Sequence, residues 1–306
     1  MPGLALIALL ACGHRPEERV TWRERWEILG LPEDGGVVDV VASVGNTDLL
    51  RGQGHLHMDF WPAQSSPVLL GRDTAPMVTQ WTPERDSVVL GTDRLARQKD
   101  GAWMARFSDL EANSRVTVRP DGDALPPATW SVGGGQWGVE VLAPGGALAG
   151  WTEAGKQGGS LVGRAVVLHR GGDGLPRGER VTVVLEGRGV SAGLDREAGG
   201  GVAWAQGRAL AQDDIKLQMD LQGRTTVDFR PQVDLWAALR LREAGGLREP
   251  SSTLLGPERW LYTTLGLEPP RALRRALAEV HVGADTWDVP ALILLEGPDA
   301  ARLVTR

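Results

Sequence analysis

Short runs of alternating apolar and polar residues, closed by glycine, proline, aspartate or asparagine, dominate this chain from residue 36 onward. A period of two puts successive side chains on opposite faces of an extended strand, and those turn residues end it. Strands are predicted over residues 37–44, 53–61, 67–70, 77–82, 87–91, 103–107, 115–119 and 137–142. Turns such as Gly45-Asn46 and Pro120-Asp121-Gly122-Asp123 fall between them. The spacing, often about 8–12 residues, is that of an antiparallel meander barrel or sandwich.

A second set of strands is predicted over 160–169, 181–186, 200–205, 215–221, 225–230 and 291–295, with a domain junction in the glycine-rich stretch 145–159. Two segments resist this reading. Residues 235–242 carry good helix formers, and Pro269-Pro270 precedes 271–279 as proline does at a helix start. Either is a short helix or a further strand. With one cysteine the chain has no disulfide, so its fold rests on its core, and 306 residues suit about two domains. The 12 tryptophans, against 3 phenylalanines and 1 tyrosine, suit a barrel's mouth or lumen, where a large apolar body carries one N–H donor.

The single cysteine, Cys12, follows the apolar run Leu4-Ala5-Leu6-Ile7-Ala8-Leu9-Leu10-Ala11. That run is too short to span a bilayer and has the length of a signal-peptide core. The tetrad Leu9-Leu10-Ala11-Cys12 resembles the lipobox of bacterial lipoproteins. The resemblance implies a signal peptide over 1–11, acylation of Cys12, and a membrane partner reached through that lipid. A lipidated tether and lead-in would then occupy 12–34, a first barrel 35–152 and a second 153–306. The expected location is the bacterial cell envelope, facing the periplasm. Gly13 follows the cysteine where inner-membrane retention uses an aspartate, so the outer membrane is expected.

Composition and motifs exclude several functions. The net charge is −6 with both signs interspersed, so no basic block offers itself to nucleic acid. Gly150 to Lys156 nearly spells a phosphate-binding loop, but Gln157 stands where a magnesium-holding Ser or Thr belongs. Gly133-Gly134-Gly135-Gln136-Trp137-Gly138 has dinucleotide-loop spacing but leads into a strand instead of a helix. No cofactor is expected.

The sharpest local pattern is His55-Leu56-His57-Met58-Asp59-Phe60-Trp61. On a strand, His55, His57 and Asp59 share one face, and Leu56, Met58 and Phe60 share the other. Two imidazoles and a carboxylate can serve acid–base chemistry or hold the polar head of a ligand. A metal set would need a fourth ligand, which no other segment obviously supplies, and no metal site is assigned. His169 closes the apolar run 161–168, with Arg164 and Asp173 nearby.

The segment from Gly163 to Pro176 resembles the opening of the second barrel in tandem lipocalin-like proteins. That superfamily includes AttH-like proteins, carotenoid hydratases and fungal survival-factor ceramide carriers. Phe107-Ser108-Asp109-Leu110, Trp130, Trp137, the segment 142–151 and the closing run 290–297 are similar in order and character. The resemblance implies an all-β fold of two tandem lipocalin-like antiparallel barrels and an apolar ligand, a lipid or isoprenoid. Where the hydratases carry their acidic aspartate, this chain has Leu168, and a leucine cannot protonate an alkene. A non-enzymatic binder or carrier is therefore expected, with His55, His57, Trp61, Trp137, Arg164 and His169 as ligand-binding candidates. The alternative is a hydratase or isomerase using His57, Asp59 and His169, with Asp59 or Asp173 as replacement acid. A structural envelope lipoprotein with filled barrels is the third reading.

Overall fold

The computed structural model describes residues 22–46, 52–82, 86–155, 157–174, 179–187, 189–197, 199–210, 215–219, 225–229, 235–248, 271–282 and 284–297. The expected signal peptide and Cys12 lie outside them. Two antiparallel sheets make up the fold, and the described residues contain no α-helix. None of their helices is long and apolar enough to cross a membrane.

The first sheet has twelve strands: β1 (Arg23–Pro32), β2 (Val37–Gly45), β3 (Gln53–Trp61), β4 (Val68–Thr74), β5 (Thr79–Trp81), β6 (Ser87–Leu90), β7 (Asp93–Arg97), β8 (Trp103–Ser108), β9 (Ala112–Pro120), β10 (Ala128–Val132), β11 (Gly135–Ala154) and β12 (Gln157–Gly172). β12 returns beside β1, curling the meander into a nearly closed barrel. The seam lies between β4 and β5, where the hydroxyls of Thr74 and Thr79 share a 3.2 Å hydrogen bond. Trp26, Ile28, Val38, Val40, Leu56, Met58, Phe60, Trp103 and Phe107 fill the interior.

Among the described residues the second sheet has nine strands: β13 (Arg180–Gly187), β14 (Val190–Glu197), β15 (Gly200–Ala205), β16 (Arg208–Ala209), β17 (Ile215–Met219), β18 (Thr225–Phe229), β19 (Leu235–Arg248), β20 (Arg271–Val282) and β21 (Asp285–Glu296). Its first strand pairs with its last. One face carries its own core, including Val183, Leu185, Ala276 and Ile293. The other packs on the first barrel through Val184, Trp204, Leu273, Leu292 and Leu294, which meet Leu29, Leu31, Val166 and Leu168.

Two expectations change, and one open reading closes. Residues 23–32, assigned to the lead-in, form β1, a strand covered on both faces: Trp26 and Ile28 point into the barrel, Leu29 and Leu31 toward the second sheet. The glycine-rich stretch 145–159 is no domain junction but part of the β11–β12 hairpin, and the first sheet runs on to Gly172, past the expected boundary at 152/153. Its glycines serve close strand approach: a Cβ on Gly146 would lie 2.6 Å from the Arg119 carbonyl. Finally, 235–242 and 271–279 belong to paired strands β19 and β20. In β20 the small Ala272, Ala276 and Ala278 pack inward while Arg271 and Leu273 face the first barrel, a period of two that overrides helix propensity.

Candidate functional site

Two cavities and one buried charge network lie where chemistry could occur. The first cavity, about 430 Å³, sits at the end of the first barrel where the β1–β2 turn, the β3–β4 loop and the β11–β12 hairpin converge. Val37, Phe60, Trp61, Val68 and Leu161 give it apolar walls, while Ser65, Ser66, Gln157 and Ser160 form a polar, exposed rim. Its lining carboxylate, Asp34, accepts a 2.8 Å hydrogen bond from the Gly36 amide and so fixes the β1–β2 turn. The second cavity, about 590 Å³, is a cleft between the sheets lined by Arg164, Ser191 and Gln206 among several glycines.

Between the sheets, Arg25, Arg170, Arg180 and Arg271 meet Glu27, Asp39, Asp195 and Glu296, four cations against four anions, all buried. Arg180 donates to Glu27 at 2.6 Å, to Glu296 at 2.8 Å and to Asp195 at 3.0 Å. Arg25 reaches Glu296 at 2.7 Å, and Arg170 reaches Glu27 at 2.9 Å. Arg271 spans Glu296, Asp39 and Glu27. Burial alone would raise the Glu296 pKa, but Arg25 and Arg180 overcome it and hold the carboxyl at about 2. Asp195 and Glu27 are lowered against the same desolvation by their arginines. The network is neutral overall and its distances are those of charge-assisted hydrogen bonds, the condition under which buried ions are tolerated.

The sequence-predicted residues scatter around these features. His55, His57 and Asp59 share one face of β3, as alternation requires, but that face is the outside of the barrel. His55 pairs with Asp73 on β4 at 2.6 Å. Asp59 stands opposite Asp39 in the β2–β3 register, and His57 completes a buried trio whose ligand atoms lie within 4.8 Å of one another. Arg271 donates to Asp39 at 2.8 Å, so a guanidinium already supplies positive charge there. His169 points into the first barrel, its ring tilted against Trp26 with centroids 5.0 Å apart and its Nε2 2.6 Å from the Glu24 carboxyl. Gly171 makes room for that carboxylate, since a Cβ there would overlap it. Trp137 lies between the sheets and donates its indole N–H to Glu197. Trp61 lines the barrel-end cavity and Arg164 the cleft.

Neither replacement acid reaches the barrel interior. Asp59 faces the second sheet, and Asp173 accepts the Gln136 amide at 2.8 Å, capping the start of β11. Leu168, at the hydratase-aspartate position, is buried in the junction between the sheets. Sequence reasoning missed the charge network because its members span residues 25 to 296, and only the strand register brings them together. It also missed Glu186 and Glu197, which burial raises to about 7 although Ser191 and Arg164 oppose the first shift and Arg170 the second.

No protein-family model matches this chain, and no curated protein matches it significantly. Solved structures do. A putative AttH from Nitrosomonas europaea is similar with a TM-score of 0.58 at 10% identity, covering 94% of this chain and 95% of that one. CghA, in its structure with Sch210972, is similar with a TM-score of 0.60 at 8% identity, covering 90% and 88%. These likenesses show the fold: a nearly closed, lipocalin-like antiparallel barrel followed by a second antiparallel sheet.

Proposed function

We propose that this protein binds or carries an apolar small molecule, a lipid or isoprenoid, in the cavity at the end of its first barrel. The observation that carries this reading is the lining: Val37, Phe60, Trp61, Val68 and Leu161 wall about 430 Å³ under an uncharged rim of Ser65, Ser66, Gln157 and Ser160. Such a lining suits a ligand with an apolar body and one polar end. Each 100 Å² of apolar ligand surface buried there contributes about 2.5 kcal/mol before the costs of association. CghA's structure with Sch210972 supports the idea that this fold can accommodate a small molecule.

Binding fits the cavity better than catalysis does. None of His57, Asp59 and His169 lines it, and its carboxylate Asp34 is engaged by the Gly36 amide. We further propose that acylation of Cys12 holds the protein at the outer membrane, facing the periplasm, beside a source of apolar ligands. Native mass spectrometry of protein purified from a bacterial envelope tests the binding reading. A stoichiometric apolar molecule supports it, and turnover of an added isoprenoid would favour the hydratase or isomerase alternative.

A further inference from the structure

The cleft between the sheets has a built floor. Arg164 on β12 donates from Nε to Glu186 on β13 at 3.1 Å and also pairs with Asp121 in the loop after β9. Ser191 on β14 donates to Glu186 at 2.5 Å and lies 2.8 Å from the Pro144 carbonyl on β11. Glu186 is buried behind them, and Gly145 leaves it room, since a Cβ there would come within 2.5 Å of Oε1. Arg164 and Ser191 face the open space of about 590 Å³, with Pro144 and Val190 as apolar wall. The Asp121 side chain is 56% exposed, so it covers Arg164 from the solvent side.

We propose that this cleft binds an anionic head group, a carboxylate or a phosphate monoester, with Arg164 as its clamp and Asp121 as the group the ligand displaces. A planar guanidinium suits both ligands because it presents paired donors in a fixed fork. The site is distinct from the barrel-end cavity and does not depend on it.

The buried carboxyl behind the clamp makes this binding proton-linked. Among the described residues, the charged groups facing Glu186 are Arg164 and Asp121, and Ser191 faces it with a hydroxyl. Burial raises its pKa to about 7 against the pull of Ser191 and Arg164. When Glu186 is ionised, two carboxylates share one guanidinium and the site repels anions. When it is protonated, Asp121 alone competes with the ligand. Anion binding therefore takes up a proton and strengthens as pH falls through 7.

Calorimetric titration of the purified protein with octanoate at pH 6.0 and 8.5, with octanol, octyl phosphate and inorganic phosphate beside it, tests the site. Octanoate should bind at least tenfold more tightly at the lower pH. Glu186→Gln should bring pH 8.5 affinity to the pH 6.0 level, and Arg164→Met should abolish binding at both. Asp121→Asn should tighten binding about tenfold, a gain that misfolding cannot produce. Competition by inorganic phosphate would support a site open to free anions; binding of octyl phosphate alone would support an amphiphile whose tail lies on Val190 and Pro144. Octanol binding as well as octanoate, no binding by any probe, or no response to Asp121→Asn and Glu186→Gln would overturn the proposal.

Discussion

Arg180 donates to Glu27 at 2.6 Å across 153 residues of sequence, joining the first strand of the second sheet to the first strand of the first. The pair lies inside a network in which each charge has at least one opposite partner, so the junction between the sheets is specified by ions as well as by apolar contact. Removing one charge leaves its neighbours uncompensated in a dry interface, which is far costlier than losing a surface ion pair.

Glu296→Gln should therefore destabilise the protein by roughly 3–5 kcal/mol, read from urea unfolding at pH 7. The wild-type carboxyl is held at about 2, below its ordinary 4.5, so its contribution is fully present above pH 4.5 and is lost as pH falls toward 2. The variant's unfolding midpoint should be flatter over that window. A loss below about 1 kcal/mol would mean the network is not closed in solution.

Glu197 carries the opposite sign. Burial raises it to about 7, so the folded state holds a proton the unfolded state has released between pH 4.5 and 7. Its contribution to stability is present below pH 4.5 and declines as pH rises through 7. Glu197→Gln keeps an acceptor for the Trp137 indole and should gain stability relative to wild type at pH 8 but not at pH 4.5, in thermal melts at both. Equal shifts at both pH values would rule out a raised carboxyl.

Gly193 lies beneath the indole of Trp204, whose N–H donates to the Pro144 carbonyl at 2.9 Å across the junction. A Cβ at residue 193 would overlap that ring, and Trp204 is fully buried. Gly193→Ala should cost about 1–3 kcal/mol by overpacking, measured by chemical denaturation. A neutral result would show that the ring can shift.

The sequence shows the strands well where one face meets a core and the other meets water, as in β9, where Val116 and Val118 point inward and Arg115 and Arg119 are exposed. It fails where both faces are covered. Arg25 and Glu27 make β1 look like a solvated lead-in because their partners lie on strands more than 140 residues away. β20 leaves helix and strand both open in the sequence because its inward residues are alanines, strong helix formers packed in the second sheet's own core. At the site, alternation puts His55, His57 and Asp59 on one face but says nothing of which face is the barrel's inside. That depends on pairing with β2, β4 and the second sheet. Trp61 and Arg164, both candidates in the sequence, line the two cavities, whereas Glu186 carries no local signal, since its burial comes from Arg164 and Gly145 of the other sheet.

Cys12→Ala should move the protein from the membrane fraction to the soluble fraction of a fractionated bacterial envelope, with incorporation of labelled palmitate lost. Continued membrane association would remove the anchor from the proposal and leave the ligand cavity untouched.

Ser66 lines the barrel-end cavity from an exposed loop, so a large side chain there should fill the space without entering the core. Native mass spectrometry and lipid extraction of wild type and Ser66→Trp, purified identically from their own envelope, compare the open and the blocked cavity. Wild type should carry about one apolar molecule per chain by the burial argument, and the blocked protein, equally stable, should carry almost none. Equal loading of both proteins, or an empty wild type, would mean that this cavity is not where the protein holds a ligand.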